Sequence, residues 1–296
     1  MARRHRPLNE QVIVITGASS GIGLCTALLA AERGAKVIVA ARSEDTLHDI
    51  AAHIHQHGGI ARAIPTDVSD PDQLKMLADE AVAAFGGIHT WVNNAGVAIY
   101  GKLSEVSEQD SRKLFDINFW GVVNGSLAAL PYLRTQGGAL INVGSEVSDA
   151  VVPYQGMYSA SKHAVKGFTD ALRVEVEEVE KSDVSITLIQ PTAVNTPYPQ
   201  HARNYMQQEP KLPSPRIDPQ KVAEAILKAA EEGGRHVTVG AMASINTLTS
   251  KVLPALADKF SAKLADKQQK DRRAEAPRGT LYRAGEGGQV YGLGDR

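Results

Sequence analysis

Val12-Ile13-Val14-Ile15-Thr16-Gly17-Ala18-Ser19-Ser20-Gly21-Ile22-Gly23 decides the fold. The β-branched run Val12–Ile15 reads as a strand, and its lack of polar residues suits one buried on both faces. The glycines allow a tight turn and close approach of backbone. The amphipathic stretch Gly23–Arg33 then reads as a helix. Strand, glycine turn and helix in that order present free N–H donors and the positive end of a helix dipole to an anion. Such a turn, built from Gly17, Ser19, Ser20, Gly21, Ile22 and Gly23, points to the pyrophosphate of a dinucleotide.

The pattern repeats outward from this turn. Short apolar runs fall at Lys36–Ala40, Ala61–Ile64, Thr90–Val92, Ala139–Val143 and Val184–Ile189. Helical patterns such as Asp72–Phe85 and Tyr158–Glu180 separate them. Strands alternating with helices predict α/β architecture, a Rossmann-type doubly wound parallel sheet in three layers. Residues 1–240 are read as one dinucleotide-binding and catalytic domain, with a helix at Gln220–Glu232 and a last strand at Arg235–Val239. Seven prolines lie between Pro191 and Pro219, so a substrate lid is expected at about residues 192–218. Residues 241–296 read as a C-terminal extension. It is helical in pattern over Ala243–Leu264, with apolar residues at Ile245, Leu248, Val252, Leu253 and Leu256. It is charge-rich over Lys259–Arg278 and carries six glycines in Gly279–Arg296. Its end is expected to be weakly ordered or laid over a partner subunit.

Composition narrows the function. With 43% apolar and 22% charged residues among 296, the chain is globular and long enough for a sizeable core. Thirty-two Lys+Arg against 33 Asp+Glu give no global pull toward nucleic acid or an anionic membrane. No run of 18 apolar residues appears, and the apolar stretch after the basic N-terminus reads as a strand and not a signal peptide. One cysteine, Cys25, allows no internal disulfide, so a small buried side chain and a reducing, cytoplasmic location are expected. His53, His55 and His57 read as a solvated helix end, and no metal site is expected.

The spacing TGxxxGxG of Thr16–Gly23 resembles the short-chain dehydrogenase/reductase family. Further motifs carry the resemblance along residues 11 to about 240: Asn93-Asn94-Ala95-Gly96 after the fourth strand, Asn118, Ser145, and Tyr158 four residues before Lys162. It implies that Asn94, Ala95 and Gly96 border the cofactor and that Asp67 and Val68 meet its adenine. It also implies a catalytic set of Asn118, Ser145, Tyr158 and Lys162. The chemistry of those residue types agrees. A tyrosine can deliver the proton that a carbonyl oxygen needs as hydride reaches carbon, provided a nearby ammonium lowers its pKa from about 10. Lys162 is placed for that role and for holding the nicotinamide ribose, Ser145 for orienting the substrate oxygen, and Asn118 for supporting a proton relay. The second strand ends in Ala41-Arg42-Ser43, where an NAD site usually has an acid, so Arg42 and Ser43 predict a 2′-phosphate and hence NADP(H). In one place the pattern breaks: Pro191 is followed by Thr192 where the family commonly has glycine, although Val194 and Thr196 remain to meet the nicotinamide.

The function expected is hydride transfer between NADP(H) and a small-molecule carbonyl or secondary alcohol. Ser145, Val147, Tyr154, Met157, Tyr198 and Tyr205 are candidates to line an apolar substrate pocket, and His201 and Met206 accompany them on the lid. A catalytically idle dinucleotide sensor or scaffold, or a non-redox enzyme on the same fold, are the alternatives. The resemblance also implies a homodimer or homotetramer joined through the helices bearing Asn118 and Tyr158. The tail helix is expected to meet a subunit sooner than a membrane.

Overall fold

The computed structural model describes residues 5–241, 249–250, 252, 254–263, 265, 268–274, 278–285 and 287–292. Seven strands form one parallel sheet: β1 Val12–Thr16, β2 Lys36–Ala41, β3 Ile60–Pro65, β4 Thr90–Asn93, β5 Gly138–Val143, β6 Val184–Pro191 and β7 His236–Val239. Their order is β7-β6-β5-β4-β1-β2-β3. Chain order therefore reverses between β1 and β4, and the crevice beyond the carboxyl ends of those two strands is where such sheets hold ligands.

Helices cover both faces, as the apolar strands demand. Ile13 and Ile15 of β1 pack on one side with α1 (Gly21–Glu32), α2 (Glu44–Gln56) and α7 (Pro219–Glu232). Val14, one residue out of phase, packs on the other side with α3 (Pro71–Phe85), α5 (Gly121–Gln136) and α6 (Gly156–Arg173). α4 (Glu108–Phe115) runs through a π-type turn, Asp116–Trp120, into α5, and α6 ends in a second one, Val174–Val179. The sequence sets the helix limits. α3, for example, starts where the Asp70 carboxylate accepts from the amides of Asp72 and Gln73, has Pro71 in its first turn, and stops at Gly86 with φ 85°. Such a cap contributes ~1 kcal/mol.

The expected lid is a folded segment. Its base is closed by the Asn195 amide donating to Ile217 O (2.9 Å) and the Ile217 amide to Ala193 O (2.9 Å). Within it lie a short helix, Tyr198–His201, and two short strands. Arg203–Asn204 pairs with Ile99–Tyr100, and Gln208–Pro210 pairs antiparallel with Gln269–Arg273 of the extension. The extension is thus stitched to the lid, with helix α8 at Pro254–Ala262. Ile245, Leu248 and Leu253, read from sequence as its apolar face, lie outside the described residues. The described residues of the glycine-rich end correct the sequence reading: 279–285 and 287–292 are laid over this chain's own crevice. No helix among the described residues is long and apolar enough to cross a membrane.

Candidate active site

The glycine turn forms the floor of the crevice. Gly17 has φ 66°, and a Cβ there would stand 2.7 Å from Ala95 Cα. A Cβ on Gly23 would collide with the Gly17 carbonyl, so Gly23 lies beneath the turn and brings α1 against it. The first residue before α1, Ser20, supplies no side-chain cap, which leaves the helix N-terminus facing the crevice. This cradle and its dipole fit a pyrophosphate.

The turns after β1 and β4 are tied together. Asn94 Nδ2 donates to Thr16 O (3.0 Å) and Gly17 O (3.1 Å), while Thr16 Oγ1 accepts from the Asn94 and Ala95 amides. Asn93 works on the buried side. Its Nδ2 donates to Asn142 Oδ1 (2.9 Å) and Ser126 Oγ (3.1 Å), and Asn142 Nδ2 continues to Thr169 Oγ1 (2.9 Å). This network fixes α5 and α6 to β4 and β5, and buried polar groups fully paired in this way set one arrangement.

Asn118, Ser145, Tyr158 and Lys162 come from three elements. Asn118 lies in the π-type turn, fully buried. Its Oδ1 accepts from the Val97 amide (2.8 Å) and its Nδ2 donates to Val97 O (2.9 Å) and Ser161 Oγ (3.1 Å). Its side chain is therefore committed to protein partners and does not line the crevice. Ser145 follows β5 and caps a short helix, accepting from the Val147 amide. Tyr158 and Lys162 project from one face of α6, with Nζ 5.7 Å from the Tyr158 ring centre. Lys162 Nζ donates to Val143 O at 2.8 Å.

The electrostatics differ from the sequence expectation. Burial dominates at Tyr158 and pushes its hydroxyl up to about 12, against the lowering effect of hydrogen bonds with Tyr198 and Ser145. Burial also brings Lys162 down to about 8. In the chain alone the ammonium therefore does not draw Tyr158 below its ordinary value. The same dry surroundings disfavour the charged form of both groups, leaving Tyr158 neutral and Lys162 a weaker base that is still protonated below about pH 8.

At the opposite end, Arg42, Ser43, Asp67 and Val68 line the crevice. Burial raises the Asp67 carboxyl, but hydrogen bonds from the Ser69 hydroxyl and amide, with Lys113 and Arg42 nearby, bring it below its ordinary value. Arg42 donates to two carbonyls of the C-terminal segment, Nη2 to Thr280 O (2.6 Å) and Nη1 to Leu281 O (3.4 Å). Pro191, Thr192, Val194 and Thr196 form the wall beside the glycine turn, with Thr196 Cβ 3.2 Å from where a Gly21 Cβ would be. Thr192 is accommodated by Gly240 (φ 100°), where a Cβ would stand 2.6 Å from Thr192 Cγ2.

Of the residues expected to line a substrate pocket, Ser145, Val147 and Tyr198 do so, joined by Val152, Gln155, His201, Leu212 and Pro213. Tyr154, Met157 and Tyr205 do not. Met157 precedes Tyr158 on the helix and so points about 100° away from it, into the core on that face. Tyr154 has φ 62° and gives its carbonyl to the Gly101 amide. Tyr205 donates to Asp110 Oδ2 (2.7 Å), below the Arg203 guanidinium. Met206 packs with Tyr100 and Ala202. Gln155 escaped the sequence reading although it stands three residues before Tyr158. Thr280, Ala284 and Gly285 escaped it too, because their glycine-rich context reads as loose chain. Cys25 is half-buried, and burial pushes its thiol up to about 11, far from a reactive thiolate.

The profile of the family described as short chain dehydrogenase matches residues 11–207. The uncharacterized oxidoreductase YxnA of Bacillus subtilis is 41% identical over 285 residues, 95% of this chain and 80% of that protein. The putative oxidoreductase SadH of Mycobacterium tuberculosis is 32% identical over 251 residues, 82% of this chain and 91% of that one. Among solved structures, a short chain dehydrogenase/reductase from Burkholderia phymatum in complex with NAD superposes with a TM-score of 0.72 at 27% identity, over 91% of this chain and 99% of that one. An alcohol dehydrogenase from the archaeon Thermococcus sibiricus complexed with 5-hydroxy-NADP gives 0.67 at 28% identity, over 77% and 94%.

Proposed function

From the premise that the chain belongs to the short-chain dehydrogenase family and is an oxidoreductase of that family, we propose that it transfers hydride between NADP(H) and an apolar carbonyl compound or secondary alcohol. The observation that carries this reading is the gathering of Tyr158, Ser145 and Lys162 at one end of a crevice whose other walls are a glycine turn and Arg42. When bound, the nicotinamide supplies or accepts the hydride. The chain's own residues manage the proton and the charge.

In the reducing direction Tyr158 donates its phenolic proton to the carbonyl oxygen. Ser145 already gives its Oγ lone pair to the Val147 amide, so its O–H is left to steady the same oxygen or the phenolate. Lys162 stabilises the phenolate, and with Nζ anchored on Val143 O it keeps its remaining N–H groups for a ribose. Asn118 holds the turn that places α5 beside α6, and because its side chain is spent, any relay water is held through its main chain. Proton transfer organised in this way contributes ~10²–10⁴ in rate.

Preference for the phosphorylated dinucleotide is supported by Ala41 in place of an acid and by Arg42 at the rim of the crevice. Val147, Val152, Leu212 and Pro213 give the substrate end an apolar wall, which supports a hydrophobic substrate. Assembly as a homodimer or homotetramer is supported by exposed Trp120 and Leu127 on the helix after Asn118 and by exposed Val174 and Val179 at the end of α6.

The test follows reduced-nicotinamide absorbance with NADPH and then NADH over a panel of hydrophobic ketones and aldehydes. NADPH should be consumed in preference, and Arg42→Ala should narrow the difference. Tyr158→Phe should abolish turnover while nucleotide binding persists. Equal use of both cofactors, unchanged by Arg42→Ala, would overturn the cofactor reading, and retained turnover in Tyr158→Phe the proton donor.

A further inference from the structure

The last described part of the extension crosses the mouth of the crevice and is fastened on three sides. At the adenosine rim, the Thr280 and Leu281 carbonyls accept from Arg42, and the Leu281 side chain is fully buried. At the glycine turn, the Gly288 amide donates to Ser19 O (2.8 Å) and the Gly21 amide donates to Gln289 O (2.9 Å). At the wall bearing Thr196, the Gly292 amide donates to Asn195 O (3.4 Å). Two further ties hold its first residues: Thr280 N to His201 O (2.8 Å) and Tyr282 OH to Asp110 Oδ1 (2.8 Å).

Its glycines serve contact. A Cβ on Gly287 would stand 2.6 Å from Thr46 Cγ2 and 2.9 Å from Ser19 O, and one on Gly292 would stand 2.6 Å from Thr196 O. Backbone lies against backbone at both points, which only glycine allows. The Gly21 amide is one of the donors a helix start leaves unpaired, and here a tail carbonyl satisfies it. The three attachment points are the same three walls that the proposed dinucleotide must touch.

We propose that residues 279–285 and 287–292 belong to the dinucleotide-binding site as a retaining strap, which must lift for a nicotinamide dinucleotide to enter or leave and which thereby sets the exchange rate. This rests on the dinucleotide reading above. The strap's bonds to the protein are a handful of main-chain hydrogen bonds, one buried leucine and the hydroxyls of Thr280, Tyr282 and Tyr291. It can therefore open as a unit without unfolding the sheet. A dinucleotide lying on the glycine turn, between Arg42 and Thr196, is covered by it. Arg42 has a double role: its terminal nitrogens, which a 2′-phosphate would engage, are the ones that pin Thr280 and Leu281.

The experiment locks and then removes the strap. Thr46→Cys with Gly287→Cys, in a Cys25→Ser background, places two thiols where the contact above brings them within disulfide reach. NADPH association and displacement are followed by nucleotide fluorescence in stopped flow, and the disulfide is verified by mass spectrometry. Oxidation should slow both association and dissociation at least tenfold, with the ratio of the two nearly constant, and dithiothreitol should restore them. A chain ended at Arg278, checked for native circular dichroism, should release NADPH at least tenfold faster than the full chain. Exchange unaltered by the verified disulfide, or by the truncation in a folded chain, would overturn the strap. Failure of the full chain to bind either NADPH or NADH would instead overturn the dinucleotide reading on which the strap depends.

Discussion

The rings of Tyr158 and Tyr198 meet edge to face, at 5.4 Å and 64°, and the Tyr198 hydroxyl acts to lower the Tyr158 hydroxyl against the raising effect of burial. Tyr198 also donates to Gln155 Oε1 (3.1 Å), and Gln155 Nε2 donates to Gln268 Oε1 (2.7 Å) in the extension. When Tyr158 loses its proton, the Tyr198 hydroxyl can turn and donate to the phenolate, which lowers the cost of forming it. Tyr198 is thus a positioning residue for the proposed acid. Tyr198→Phe removes a bond worth ~1 kcal/mol, so kcat should fall about fivefold to tenfold. The KM for NADPH should stay nearly constant, and the alkaline limb of the kcat profile should move to higher pH. A pH–rate profile identical to that of the parent enzyme would refute the role.

Lys162 is a stability cost retained for chemistry. Burial lowers it from 10.5 to about 8, so the folded chain binds its proton more weakly than the unfolded chain does. The sign follows: the penalty is fully present below about pH 8 and is relieved as pH rises toward 10.5, where both states are neutral. A shift of this size is worth about 3 kcal/mol at pH 7, offset by ~1 kcal/mol for the lost bond to Val143 O. Lys162→Met should therefore unfold at a higher urea concentration than the parent at pH 7, by about 2 kcal/mol, with the gain fading toward pH 10 and turnover lost throughout. A Met variant less stable at pH 7 would contradict it.

Thr192 and Gly240 form a matched pair. The resemblance predicts glycine at 192, and the structure shows what permits threonine there, the absence of a Cβ on Gly240. Gly240→Ala suffers twice, from φ 100° and from the 2.6 Å approach to Thr192 Cγ2, and should cost about 2–3 kcal/mol. Adding Thr192→Gly relieves the second part only. A double-mutant cycle in urea should show a coupling of ~1 kcal/mol, and strict additivity would remove the pairing.

The sheet was legible in the sequence because parallel strands buried on both faces leave continuous apolar runs, and each of Val12–Ile15, Thr90–Val92 and Val184–Ile189 lies within a strand. The residues at the crevice were legible where short motifs place them next to a strand end, as with Asn94 after β4 and Ser145 after β5. The rest depends on contacts distant in sequence. Nothing near Tyr205 announces Asp110, 95 residues away, which turns it from the pocket. Nothing near Arg42 announces Thr280, 238 residues on. A glycine-rich tail has the same composition whether its glycines serve flexibility or close approach, and only the backbone of Ser19 and Thr196 decides which. The Tyr158 pKa failed for a related reason: spacing shows the lysine nearby but not the water excluded from both groups.

Trp120 and Leu127 supply the last prediction. Trp120 is 50% exposed and Leu127 53%, on the helix that follows Asn118, and Trp120 lies edge-on to Phe119, itself packed on Phe168 of α6. Large apolar side chains exposed along one helical stretch lose favourable energy to water unless a second surface covers them, at about 25 cal/mol per Å². A second copy of the chain is the cover expected from the proposed assembly. Light scattering on the parent should therefore give a mass at or above twice 31.6 kDa. Trp120→Glu with Leu127→Glu places two carboxylates in that contact, where desolvation without a partner disfavours them. The double variant should run as a monomer with native circular dichroism. A parent that is already monomeric at micromolar concentration would refute the assembly, and a variant that keeps the parent mass would place the contact on another face.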